Sequence, residues 1–179
     1  MDALNISAGP HAFGDGSHPT TAGALAALKA LDPAAFAPRN AIDIGAGSGI
    51  LSFAILTLFG CPVIATDIAM SAVVAIEENA RGNGCADKIT ALQADGFDHP
   101  DIRAAAPLDL IVMNILAEPL LALAADAATH LASDGALIIS GVLLWQEEQI
   151  RAAYGGLPGL ELTFRIAIGD WVTLVWQKA

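Results

Sequence analysis

Basic residues are scarce in this 179-residue sequence, which has 8 lysines and arginines against 19 aspartates and glutamates and a formal net charge of −11. A protein that binds nucleic acid through its phosphates needs clustered lysine and arginine side chains. The charge balance therefore argues against a nucleic-acid partner. It is compatible with a small molecule or a basic protein as substrate, because opposite charges attract.

Cysteine is rarer still, since Cys61 and Cys85 are the only two. They form no C-x-x-C pair, and no histidine stands beside them at the spacing of a metal ligand. Cys61 precedes a predicted buried strand and Cys85 lies in a predicted turn, where reduced thiols are ordinary. We therefore predict no metal site and no disulfide.

Long apolar stretches are also missing, although 55% of the residues are hydrophobic. Gly, Pro, Asp or Glu interrupts each apolar run before it reaches the length that spans a bilayer. Residues 1–11 lack the basic start and apolar centre of a secretory signal. We expect a soluble, cytoplasmic protein without a membrane partner, folded as one domain over residues 1–179. No pattern indicates the oligomeric state.

What the chain does have is a regular alternation of short apolar runs and helix-like segments. The predicted strands are 41–44, 63–66, 89–93, 108–113 and 136–140, and the predicted helices are 20–31, 50–58, 71–81, 119–131 and 145–154. Two alternating segments, 160–168 and 171–177, predict a terminal hairpin. The fold class is therefore α/β: a doubly wound, seven-stranded, mostly parallel sheet with a C-terminal antiparallel hairpin. This Rossmann-like arrangement is common to many class I methyltransferases that use S-adenosylmethionine (SAM).

A glycine-rich turn after the first strand is the strongest local signal. Gly45, Gly47 and Gly49 follow Asp43 and let a ligand approach the backbone closely. The dinucleotide fingerprint needs glycine at the first, third and sixth places of this turn, and the sixth place is Ile50. The spacing indicates a SAM site rather than an NAD site. Asp43 would repel a pyrophosphate, whereas SAM carries a positive sulfonium and tolerates it.

Two more aspartates follow the next strands. Asp67 ends the second strand, where a carboxylate can bind both ribose hydroxyls, and its alternative role is to cap a helix. Asp95 follows the third strand, where it could reach an adenine amino group or remain a solvated loop residue. Asn114 ends the fourth strand, at the edge where such sheets bind ligands, and its amide can donate and accept.

Two longer segments make the assignment more specific. Residues 11–21 read HAFGDGSHPTT, and residues 114–120 read NILAEPL. Together with DIGAGSGIL at 43–51 and SGVL at 140–143, they make the chain resemble the PrmA family, bacterial lysine methyltransferases that modify large-subunit ribosomal protein eleven. The resemblance runs from about Phe13 to the end of the chain.

The resemblance implies roles for individual residues. Thr21, Gly45, Asp67 and Asn114 would contact SAM, and Asn114 would also align the acceptor amine. Apart from the resemblance, the glycine-rich segment before the first helix, within residues 1–18, is placed to fold over the cofactor as a lid. We interpret His18 as a structural residue and Phe13 as a packing residue.

Two features depart from the family pattern. Asp15 stands where the family usually has threonine, and the chain begins about a dozen residues before the first motif, whereas the family has a separate N-terminal domain that grips the ribosomal protein. Three functions therefore stay open: a protein methyltransferase acting on lysine or an N-terminal amine, a small-molecule N-methyltransferase, and a nucleotide-binding oxidoreductase or non-catalytic SAM binder. The absence of D-P-P-Y or N-P-P-Y further disfavours adenine as the acceptor.

Overall fold

The computed structural model describes residues 18–179, which form a seven-stranded sheet with helices on both faces. The strands are β1 (Ala41–Ile44), β2 (Val63–Asp67), β3 (Ile89–Gln93), β4 (Leu108–Asn114), β5 (Leu131–Leu143), β6 (Leu160–Ile168) and β7 (Trp171–Lys178). The helices are α1 (Pro19–Ala30), α2 (Ile50–Phe59), α3 (Met70–Gly82), α4 (Pro100–Ala105), α5 (Ala117–Ala122), α6 (Ala124–His130) and α7 (Glu147–Gly155).

The strands lie in the order β3-β2-β1-β4-β5-β7-β6. The first five in this order are parallel, and β7 is antiparallel to both β5 and β6. The predicted doubly wound sheet with its terminal hairpin is confirmed. The chain reverses its direction of travel across the sheet between β1 and β4, and ligands of open α/β sheets bind at such a switch point.

The sheet separates two apolar layers because successive side chains of a strand point to opposite faces. Ile42 of β1 and Ile111 of β4 are paired neighbours that belong to the core beneath α5, α6 and α7. Ala41 and Leu110 are also paired and belong to the core on the opposite face, with α1 and α2. All four side chains are at most 1% exposed, so both faces of the central strands are covered.

The predicted continuous helix over 119–131 was wrong. The chain forms α5 and α6 instead, joined at Leu123, and Leu131 is already the first residue of β5. The Leu123 side chain packs so closely on Gly96 that a Cβ at residue 96 would overlap it. Helical periodicity does not register such a tertiary contact. Strand β5 consequently begins earlier than predicted and also extends beyond Ser140.

One further helix was not predicted, and the last predicted helix begins later than expected. Helix α4 was not predicted, because six residues are too few to show helical periodicity; the His99 side chain caps it by accepting from the Asp101 amide at 3.2 Å. The last predicted helix, 145–154, begins at Glu147, since Trp145 lies in a preceding 3-10 turn and is 76% exposed. Among residues 18–179, no helix has the length and apolar character needed to cross a bilayer.

Candidate functional site

A cleft of about 880 Å³ opens at the carboxyl ends of the parallel strands. Its lining includes Gly45 after β1, Asp67 at the end of β2 and Asn114 at the end of β4. The strand order brings these residues together, because β1 lies between β2 and β4. Of the predicted site residues, six line the cleft: Thr21, Gly45, Gly47, Asp67, Asp95 and Asn114.

The turn after β1 needs its glycines for two reasons. Gly45, Gly47 and Gly49 have φ of 71°, 57° and 83°, a region that L side chains rarely adopt. In addition, a Cβ at Gly45 would overlap the Ile115 side chain, which follows β4. Gly49 is the residue that precedes α2, and within residues 18–179 it does not line the cleft. The glycines therefore serve both the close approach to the cleft and the start of the helix.

Asp67 joins two segments that line the cleft. Its Oδ2 accepts from the Gly47 amide at 3.0 Å, and its Oδ1 accepts from the Ala69 amide at 2.9 Å. The carboxylate thus ties the glycine turn to the start of α3. Each carboxylate oxygen has two acceptor positions, so both oxygens can still accept a hydrogen bond from a ligand hydroxyl. A bonding role within the protein and a ligand-binding role are compatible here.

Asn114, the last residue of β4, contacts Thr21 in the first turn of α1. Asn114 Nδ2 donates to Thr21 Oγ1 at 3.4 Å, a long hydrogen bond. Asn114 Oδ1 is buried and has no hydrogen-bond partner among the described residues. A buried polar atom without a partner is costly unless a ligand or water satisfies it. This amide oxygen is therefore an acceptor available to a bound molecule.

Asp43 takes a different position from the one its place in the motif suggested. It is 1% exposed, lies behind the cleft lining, and its Oδ2 accepts from Ser52 Oγ of α2 at 2.6 Å. Its Oδ1 has no partner among residues 18–179. Burial raises the pKa of Asp43 to about 6, against the opposing effect of the Ser52 hydrogen bond. Asp43 therefore links β1 to α2 and is not among the described residues that line the cleft.

The rings of His18 and Trp171 line one side of the cleft. Trp171 was not among the predicted site residues, and His18 was interpreted as a structural residue. His18 caps α1 through Nδ1, which lies 3.4 Å from the Thr20 amide and 2.8 Å from Thr20 Oγ1, and its ring also lines the cleft. Trp171 lies edge-on to that ring, with centroids 5.2 Å apart. The available signal was the hairpin: an antiparallel β7 must begin where β5 ends, and Trp171 pairs with Leu143.

Most of the other lining residues are apolar, and the charged side chains among the described lining residues are negative. The apolar residues include Ile44, Ile68 and Ile115, and Ile68 is 70% exposed beside Asp67. Among the lining residues that the structure describes, the carboxylates are Asp67 and Asp95, and none is lysine or arginine. Within the same residues, no cluster of three His, Cys, Asp or Glu is arranged to hold a metal ion. The predicted lid, with Phe13 and Asp15, lies outside the described residues.

Comparison with known proteins gives a consistent result. A family model described as "Ribosomal protein L11 methyltransferase (PrmA)" matches residues 2–179. Proteins named ribosomal protein L11 methyltransferase from Chelativorans sp. (strain BNC1) and Brucella suis are 44% identical over 167 residues and 46% identical over 152 residues. These matches cover 93% and 85% of this chain but 57% and 53% of the relatives, so the chain spans about half of their length.

Solved structures agree in fold. A ribosomal protein L11 methylase from Lactobacillus delbrueckii subsp. bulgaricus superposes with a TM-score of 0.84 at 32% identity, covering 98% of this chain and 84% of that one. A methyltransferase from Pyrococcus furiosus superposes with a TM-score of 0.76 at 17% identity, covering 98% and 89%. The second similarity concerns the fold alone, which is that of class I methyltransferases.

Proposed function

Because this chain belongs to the family of ribosomal protein L11 methyltransferases (PrmA), we propose that it transfers a methyl group from SAM to an amine of a protein. The first candidate substrate is ribosomal protein L11, the protein named in its relatives. The acceptor atom would be a lysine side-chain nitrogen or an N-terminal amine. A cytoplasmic location follows from this proposal, since ribosomal proteins are made there.

One observation carries the proposal: the glycine turn, Asp67 and Asn114 converge on a single cleft at the switch point of the sheet. The described lining residues include two carboxylates and no lysine or arginine. A pyrophosphate would meet no cation there, which disfavours a dinucleotide. The hydroxyls, amino groups and positive sulfonium of SAM are compatible with carboxylate and amide acceptors. The residues therefore fit SAM better than NAD.

Each lining group has a task in this proposal. Asp67 would accept from the ribose hydroxyls with the acceptor positions that Gly47 and Ala69 leave open. Asp95 would accept from the adenine amino group, and the apolar Ile68 beside Asp67 suits the face of the ring. When bound, SAM supplies a methyl group that its sulfonium makes electrophilic.

The residues of the chain then have to hold a neutral amine in line with that methyl group. Burial of an entering amine against the apolar walls at Ile44, Ile115 and Trp171 would disfavour its charged form and so favour the neutral amine. Asn114 Oδ1, which has no other partner among the described residues, can accept a hydrogen from the neutral amine. That bond would orient the nitrogen for in-line attack, which requires reacting atoms roughly 3 Å apart.

The test is methyl transfer from labelled SAM to purified ribosomal protein L11, supplied at high concentration so that turnover does not depend on tight docking. A panel of small amines is assayed in parallel, and mass spectrometry locates the label. We expect label on a lysine or the N-terminal amine of L11 and none on the small amines. Label only on small amines would favour the small-molecule alternative. SAM binding without transfer to either would contradict the proposed activity.

A further inference from the structure

The first, N-terminal turn of α1 supplies part of the lining of the cleft. His18, Thr20 and Thr21 all line it, and Thr21 accepts the hydrogen bond from Asn114. The position of this turn relative to β4 therefore decides whether Asn114 is held. Because the Asn114–Thr21 distance is already 3.4 Å, a small outward shift of α1 would break the bond.

Two buried hydroxyl groups behind the cleft fasten this turn to the sheet. Ser140 Oγ of β5 donates to the Thr20 carbonyl at 2.9 Å and lies 2.8 Å from Thr173 Oγ1 of β7. Serine has one hydroxyl hydrogen, and the Thr20 carbonyl receives it, so Thr173 is the donor to Ser140. Ser140 and Thr173 are 0% and 2% exposed. A directed chain of hydrogen bonds thus runs from β7 through β5 to α1.

A glycine lets α1 lie close enough for this chain of bonds to form. A Cβ at Gly23, one turn along α1, would overlap Thr173 Oγ1. The helix therefore approaches β7 at the one residue without a side chain, and the same threonine hydroxyl faces both Gly23 and Ser140. Neither Ser140 nor Thr173 belongs to the described cleft lining.

We propose that Ser140 and Thr173 are positioning residues, which set the place of the α1 first turn and through it the alignment of Asn114 and His18 in the cleft. The inference rests on the proposed function, because the alignment matters for binding SAM and the acceptor amine. Both hydroxyls bond within the core, so the effect of removing a hydroxyl on methyl transfer would pass through α1; the strand pairing of Ser140 with Asn114 does not depend on either hydroxyl.

The decisive comparison is Thr173→Val against Thr173→Ser. Valine places a methyl group where the hydroxyl lies, and a carbon cannot approach Ser140 Oγ as closely as a hydrogen-bonded oxygen does. Serine keeps the hydroxyl. The control is Thr163→Val on β6, which removes the hydroxyl of an exposed residue; this hydroxyl donates to the Val175 carbonyl at 2.9 Å, away from the cleft. Ser140→Ala is the second test variant.

Three measurements are made on each folded variant. They are the transfer rate at saturating SAM with the acceptor KM, the SAM affinity by calorimetry, and the NMR signals of the Asn114 amide and His18 ring without ligand. We expect Thr173→Val and Ser140→Ala to lower the transfer rate by about tenfold or more, with a smaller change in acceptor KM. Both should shift the two NMR signals. Thr173→Ser should stay within about threefold of the wild type, as should Thr163→Val.

The inference would be overturned if a folded Thr173→Val kept the wild-type transfer rate, SAM affinity and NMR signals. It would also be overturned if Thr163→Val lowered the transfer rate as much as Thr173→Val does. The NMR signals separate this inference from the proposed function. If the wild-type protein binds no SAM, the proposed function fails. Changes in the Asn114 and His18 NMR signals that occur only in Ser140→Ala and Thr173→Val would still support the positioning role.

Discussion

Replacing Asp43 with asparagine should remove a pH dependence of stability that this buried carboxyl group creates. The side chain is 1% exposed, and its hydrogen bond from Ser52 only partly offsets the loss of hydration. Burial is the main reason that the pKa of Asp43 rises from 3.8 to about 6. The folded protein therefore binds this proton more tightly than the unfolded chain does.

The sign and size of the effect follow from that pKa difference. The contribution of Asp43 to the free energy of unfolding is fully present below pH 3.8 and is lost as the pH rises through about 6. A shift of about two pKa units at about 1.4 kcal/mol per unit corresponds to about 3 kcal/mol. The wild-type protein should lose roughly that much stability across this interval from Asp43 alone.

The comparison with Asp43→Asn isolates Asp43, because every other titratable group is present in both proteins. Arg39 holds the pKa of Asp109 below its ordinary value, so stability from that pair is lost only as the pH falls below the Asp43 interval. Asparagine at residue 43 brings an amide whose NH₂ could lack a partner, at a cost of about 1–3 kcal/mol that does not vary with pH. The slope, rather than the absolute stability, is the quantity to compare.

Urea unfolding of the ligand-free protein at about pH 4 and about pH 7 measures that slope. Between these pH values Asp43→Asn should lose about 2–3 kcal/mol less than the wild type, and the exposed Asp87→Asn should behave as the wild type does. If Asp43→Asn and the wild type change in parallel, the carboxyl group is ionised in the folded protein at low pH, and the argument from burial is wrong.

Three further predictions concern the cleft. SAM should bind in calorimetry with a Kd on the order of micromolar and NAD at least about a hundredfold more weakly, because Ile50 replaces the sixth-place glycine; equal affinities would contradict the SAM assignment. Asp67→Ala should weaken SAM binding by about 1.5–3 kcal/mol, and unchanged affinity in a folded variant would mean that Asp67 only joins the glycine turn to α3. Asn114→Ala should lower turnover at saturating SAM more than it lowers SAM affinity, whereas weak SAM binding with normal saturated turnover would make Asn114 a cofactor ligand only.

Several elements could be predicted from local sequence alone. The apolar runs of β1 and β3 have the predicted bounds, and the hairpin at Gly169 forms where the turn signal lies. The glycine spacing after β1 predicted a sharp turn, and each of the three glycines does adopt a positive φ. These features depend on residues a few positions apart, which is the range over which propensity and periodicity act.

Asp43 shows where such reasoning stops. Strand alternation places it on the face opposite Ile42 and Ile44, but alternation does not say which layer covers that face. The structure covers it with α2, whose Ser52 bonds the carboxylate and removes it from the cleft lining. Trp171 is the opposite case, because the antiparallel pairing of β7 with β5 brings it to the cleft.

The sequence by itself determined the fold class, the position of the glycine turn and the strand ends that carry site residues. The tertiary structure alone decided which residues meet: the Ser140 hydroxyl with the Thr20 carbonyl across 120 positions, the side chains of Asn114 and Thr21 across 93, and the Leu123 side chain with Gly96. The physical reason is that secondary structure follows from the local backbone and its nearest neighbours, whereas these contacts arise only when helices pack on a sheet whose strand order differs from the chain order.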